Sequence, residues 1–246
     1  MVIGISLGYL NIAGRSLAEG RTTASIPDDL FTAIEAGDVG GVEAILGAAP
    51  DAASARDASG VSALMRAIYR FDPGLLEVLK ARVGALDLFE AAALGDEDRL
   101  EELLDAEPSL ATAYSGDGFT ALHLAAFFGR PGAAALLLEH GAEVDAFGRG
   151  WMTGTAMHSA ASRLQSDVIR ILLDAGADPD VRQSAGWAPL HAAAMNGDLV
   201  SVELLLAAGA DPAATNDEGR SVADLANESS DDATNERIRS ALQAAP

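Results

Sequence analysis

An alanine recurs through this chain at nearly constant intervals, at positions 33, 67, 91, 125, 160, 193 and 226, separated by 34, 24, 34, 35, 33 and 33 residues. Self-similarity at a period near 33 residues points to a stack of repeated supersecondary units rather than one globular core. A small residue at one fixed place in every unit is what adjacent backbones need in order to approach closely. The neighbourhood of that alanine repeats as well. Thr120-Ala-Leu-His-Leu-Ala-Ala126 returns as Thr155-Ala-Met-His-Ser-Ala-Ala161 and Ala188-Pro-Leu-His-Ala-Ala-Ala194, and more weakly around Ala67 and Ala226. Two further copies, Leu30-Phe-Thr-Ala-Ile34 and Leu88-Phe-Glu-Ala-Ala92, lack the opening turn.

The second half of each unit is equally regular. Gly129-Arg-Pro-Gly-Ala-Ala-Ala-Leu-Leu-Leu138 and Gly197-Asp-Leu-Val-Ser-Val-Glu-Leu-Leu-Leu206 have the spacing of amphipathic helices. They close on Gly141-Ala142 and Gly209-Ala210, and Gly176-Ala177 ends another unit. Glycine takes the left-handed position past a helix end at little steric cost. The order is helix, turn, helix, extended turn, repeated about seven times. This pattern resembles the ankyrin-repeat family over about residues 28 to 246. The resemblance implies an all-α solenoid, an L-shaped stack of helix-turn-helix units with β-hairpin tips along one edge. It also implies a structural role for His123, His158 and His191, which hydrogen-bond neighbouring turns, alongside Ala125, Ala160 and Ala193 at the stacking position.

One unit departs from the period. Residues 30–64 match residues 88–122 at a constant offset of 58, as in Gly37/Gly95, Pro50/Pro108 and Gly60/Gly118. The second unit therefore ends near Leu86 without its hairpin. The expected organisation is an N-terminal segment over 1–27, flexible or loosely docked, two repeats over 28–87, the second truncated, and five repeats over 88–246 ending in a polar cap. The junction at about 82–88 is where the stack is expected to bend or break.

Composition narrows the function. Sixteen basic against 37 acidic residues give a net charge of −21, which repels phosphate backbones and anionic lipid. Nucleic-acid and membrane partners are not expected. Cysteine is absent, removing disulfides, thiolate metal sites and cysteine nucleophiles. Fifty-one alanines and a single lysine, Lys80, suit close-packed helices written in GC-rich codons. The N-terminal stretch has no basic residue before Arg15, unlike a secretory signal. The expected setting is cytoplasmic and the expected state a monomer.

Candidate chemistry is sparse. Gly4-Ile-Ser-Leu-Gly8 has the spacing of a nucleophile elbow but no alternating strands and helices around it. Gly148-Arg-Gly-Trp-Met-Thr-Gly154 is one residue too long for a dinucleotide loop and reads as a long hairpin tip. Histidines one helix diameter apart cannot share a zinc ion. No metal, no cofactor and no catalysis are expected.

What remains is a surface. In the ankyrin-like register, Phe119, Trp151, Met152 and Trp187 fall at hairpin tips, as do Val61 and Arg220. Tyr69, Arg70, Leu94, Phe127, Phe128, Arg163, Leu164, Met195 and Asn196 follow the first helices, facing a concave groove. Aromatic, Met and Arg side chains are the types enriched in interface hot spots. The expected function is a rigid, non-catalytic groove that holds another protein, one with basic residues at its rim. The alternative is a regulatory or inhibitory subunit of one enzyme or toxin, its acidic face imitating an anionic ligand.

Overall fold

A computed structural model describes residues 25–150, 153–228 and 231–245. Residues 1–24 of the expected N-terminal segment, the Gly4–Gly8 match, Trp151 and Met152 lie outside them. The described residues form fourteen α-helices in antiparallel pairs: α1 (Ile26–Ala36) with α2 (Val39–Ala48), α3 (Ala63–Arg70) with α4 (Pro73–Lys80), α5 (Leu88–Leu94) with α6 (Glu97–Ala106), α7 (Ala121–Phe127) with α8 (Pro131–Glu139), α9 (Ala156–Ser162) with α10 (Ser166–Asp174), α11 (Pro189–Met195) with α12 (Leu199–Ala207), and α13 (Val222–Ala226) with α14 (Asp232–Ala244). The first of each pair stacks on the first of the next, giving the helical solenoid expected from the period.

Local chemistry sets the helix ends. Ser25, Ser62, Asp87 and Ser221 accept from backbone N–H groups in the first turns of α1, α3, α5 and α13. Ser25 places the first helix at Ile26, slightly ahead of the expected start at 28. Asp38, Asp96 and Asp198 cap α2, α6 and α12 in the same way. The hairpins are shorter than expected. Among the described residues they reduce to isolated bridges, Arg56 with Ser62, Tyr114 with Thr120 and Thr215 with Ser221.

Six members of the alanine column, Ala67, Ala91, Ala125, Ala160, Ala193 and Ala226, are completely buried between stacked first helices. Ala33, in the outermost unit, is only partly covered. Beyond the alanines, three units supply a carbonyl cap to their predecessor. Arg70 Nη1 donates to Glu35 O at 2.6 Å, Arg130 Nε to Ala93 O at 3.0 Å, and Asn196 Nδ2 to Ser162 O at 3.3 Å. The last carbonyls of a helix have no partner within the helix, and a cation or amide from the next unit satisfies them.

The missing hairpin leaves the first-helix stack continuous but changes its geometry. Arg56 pairs with Asp87 at 2.7 Å and the Ser62 hydroxyl donates to Glu90 Oε1 at 2.5 Å, tying the start of α3 to the start of α5. With no tip between them, the turn at 113–120 meets the turn at 55–62 directly. A Cβ added to Gly116 would overlap the Ser59 carbonyl oxygen, so only glycine permits this approach. On the outer side the helices part. The starts of α2 and α4 adjoin through Val39 and Gly74, and those of α6 and α8 through Glu97 and Gly132. At the junction, by contrast, Lys80 at the end of α4 faces Asp96, Glu97 and Asp98 at the start of α6. They line an open depression of about 370 Å³. The second helices α4 and α6 therefore do not pack along their length as α2 with α4 and α6 with α8 do.

Buried side chains form two clusters. One runs from Leu30 to Leu79 and extends to Ala93, Phe119 and Leu124; the other runs from Leu88 to Leu242.

Candidate functional site

Closure of the hairpin edge brings together side chains that a regular stack would hold apart. Tyr69 and Phe71, at the end of α3, meet Phe127 and Phe128 at the end of α7, two units further on. Ring centroids lie 6.1 Å apart for Tyr69–Phe128, 5.5 Å for Phe71–Phe128, 6.3 Å for Phe71–Phe127 and 5.0 Å for Phe127–Phe128. The unit between them presents Ala93, Leu94 and Gly95 at the corresponding positions, small enough for the aromatic side chains to reach across. Arg163, just past α9, completes the group, its guanidinium carbon 5.0 Å from the Phe71 centroid and 4.9 Å from that of Phe127. The Tyr69 hydroxyl donates to Asp117 Oδ2 at 2.7 Å. Burial, with the Asp117 carboxylate beside it, pushes the phenol pKa up, so Tyr69 stays a neutral donor.

Four of the residues expected to bind a partner, Tyr69, Phe127, Phe128 and Arg163, therefore converge on one surface. Phe71 joins them without having been anticipated. Its signal in the sequence is positional: an aromatic residue where Gly37, Gly95, Gly129 and Gly197 stand in other units. The groove is also not open throughout, because Tyr69 and Phe71 cover part of Phe127 and Phe128, which are half-buried.

The hairpin column is corrected. Phe119 is 2% exposed, so it is not presented to a partner, and Val61 is buried as well. Phe119 joins the buried cluster of the first two units at the closed junction. Phe119 precedes Thr120 in extended backbone and folds onto the His123 ring four residues on, at 6.0 Å between centroids. Trp187 does the same on His191 at 5.8 Å, yet it remains half-exposed. Arg70 is exposed but spends a donor on Glu35, and Asn196 binds the end of α9, so both also hold the stack. Met195 is half-buried beside them.

The histidines occupy structural positions. Nδ1 of His123, His158 and His191 accepts from the backbone N–H three residues earlier, at 3.4, 3.2 and 3.1 Å. Nε2 of His123 and His158 therefore carries the proton and donates across to the next hairpin, to Gly154 O and Trp187 O, both at 3.0 Å. Burial lowers the pKa of all three, that of His158 to about 4. Among the described residues no group of three His, Asp or Glu side chains is placed to hold a metal ion. No described helix is long and apolar enough to cross a membrane.

Comparison with known proteins agrees with this geometry. Ankyrin repeats, in a profile of three copies, match residues 88–183 and 152–216, which together take in more than half of the chain. The chain belongs to the ankyrin-repeat family. Ankyrin repeats are in general protein–protein interaction modules. Similar proteins include the probable E3 ubiquitin-protein ligase XBOS31 of Oryza sativa, 42% identical over 95 residues, which are 37% of this chain and 20% of that protein. Palmitoyltransferase akr1 of Neurospora crassa is 33% identical over 114 residues, 46% of this chain and 16% of that protein. Protein phosphatase 1 regulatory subunit 12A of Mus musculus is 35% identical over 75 residues, 30% of this chain and 7% of that protein. The chain thus spans a fifth or less of the length of these relatives.

Proposed function

We propose that this ankyrin stack is a non-catalytic binding protein that holds a protein partner on the surface where the ends of α3, α7 and α9 meet. The observation that carries this reading is the aromatic group of Tyr69, Phe71, Phe127 and Phe128 capped by Arg163. It is fixed by the fold before any partner arrives, so little ordering entropy opposes binding. The net charge of −21 favours basic residues at the partner's rim. That long-range contribution weakens as salt is raised. The protein acts as a monomer in the cytoplasm on this reading.

A second reading is a regulatory subunit of a particular enzyme. Its support is the relative named as a protein phosphatase regulatory subunit. A partner whose own activity changes in the complex would distinguish it.

Affinity capture from the source organism's lysate tests the first reading, with wild type, Phe127→Ala and Trp187→Ala compared at low and high salt. The expected result is a stoichiometric protein retained by wild type, lost with Phe127→Ala and weakened by salt, while both variants keep a cooperative melt. Equal retention by wild type and Phe127→Ala contradicts the assignment of the surface.

A further inference from the structure

The turn between the two helices of a unit passes through one left-handed residue. Gly37, Gly95, Gly129 and Gly197 hold that position with φ of 72°, 76°, 64° and 69°. Phe71 and Leu164 hold it in two other units with φ of 54° and 60°. This conformation costs a residue with a Cβ on the order of 1 kcal/mol or more. Burial of the side chain would offset that cost, yet Phe71 is 56% and Leu164 53% exposed. Leu164 follows Arg163, whose guanidinium lies over the Phe71 ring. Arg56, Arg66, Arg99, Arg220 and Arg239 each pair with a carboxylate. The Arg163 guanidinium has only the two rings, and none of its N–H groups meets an acceptor among the described residues.

We propose that Phe71, Arg163 and Leu164 anchor a partner segment that presents a carboxylate next to an apolar side chain. This rests on the reading of the junction surface as the binding face. A guanidinium lying over aromatic rings keeps its N–H edges free, and two parallel N–H donors match a carboxylate in a bidentate pair. A basic anchor does not fit the same point, because Arg163 already occupies the facing sides of Phe71 and Phe127. A polyanion does not fit either: the net charge of −21 repels nucleic acid and anionic bilayers at long range. A single carboxylate held at contact distance, with its apolar neighbour covering Phe71 and Leu164, satisfies both constraints. Basic residues elsewhere on the partner meet the carboxylates of the rim.

The test is selection of a displayed random-peptide library on the full chain, followed by binding of the enriched peptides to wild type, Arg163→Ala, Arg163→Lys, Leu164→Gly and Phe127→Ala. The expected consensus sets Asp or Glu beside Leu, Ile, Phe or Trp. Arg163→Ala lowers affinity about tenfold or more, in the range of a lost charge-assisted pair. Arg163→Lys does not restore it, since an ammonium offers no parallel donor pair. Leu164→Gly weakens binding while raising the melting temperature, because it relieves left-handed strain at an exposed site. An enriched consensus without an acid, bound equally by Arg163→Ala, overturns the proposal. If such peptides still require Phe127, the binding face stands and only the acidic anchor falls. If no peptide depends on any of these residues, both are wrong.

Discussion

Replacing Ala125 with leucine lowers the melting temperature by about 6–12 °C, and Ala193→Leu does the same in the later part of the stack. Both alanines are completely buried between consecutive first helices. Extra methylenes in a filled core cost about 1–3 kcal/mol through displaced backbone and forced rotamers, and these sites lie at the upper end. In a chain of this length about 3 kcal/mol corresponds to that temperature shift. Ala33→Leu is the control: its place at the outer edge of the stack leaves room for the larger side chain, and the melt should move little. Calorimetry on the three variants checks the pattern. A large shift for Ala33→Leu with none for Ala125→Leu would contradict the stacking account.

The second large effect is loss of stability in mild acid. His158 is neutral in the folded protein with a pKa lowered to about 4, against 6.5 for the free side chain, and His123 and His191 are shifted the same way. Above pH 6.5 neither the folded nor the unfolded histidine binds a proton, so the stability is fully present. As pH falls from 6.5 towards 4 the unfolded chain is protonated first, and stability declines, by about 3 kcal/mol for His158 alone. The main cause is burial, which penalises the charged ring, and Nδ1 also accepts from the Thr155 N–H, which an imidazolium cannot do. Glu90 acts in the opposite sense: burial raises its pKa, so its protonation in the folded state returns some stability at low pH. Denaturant titrations at pH 7 and pH 4.5 should show the decline, and His158→Gln should flatten it. An unchanged decline in that variant would show that other groups cause it.

The repeat and its local chemistry were readable from the chain alone because both are periodic. The offset of 58 places α6 over 97–106 once α2 is known to span 39–48, and it carries the short 3-10 turn from 50–54 to 108–112. The histidines and the alanine column were readable for the same reason. What was not legible depends on how the missing hairpin is accommodated. A deletion shows where a segment is absent but not which edge of the stack closes over the gap. Gly116 lying against Ser59 decides that, and the meeting of Phe71 with Phe127 and Phe128 follows from it. Phe119 and Trp187 share a hairpin column, yet one is buried and the other half-exposed, since their cover comes from adjoining turns rather than from their own position.

The central claim is that the first two units close onto the groove of the later ones, so that the binding surface is built from both. Nuclear Overhauser contacts between the Phe71 ring and the rings of Phe127 and Phe128 test it most directly, in full-length protein with selectively labelled phenylalanine. Centroid separations of 6.3 and 5.5 Å put their edge protons within range, and cross-peaks are expected from Phe71 to both rings. Their absence, in a sample where the Phe127–Phe128 contact is seen, would mean that the two parts of the stack stand apart and that the surface described does not exist.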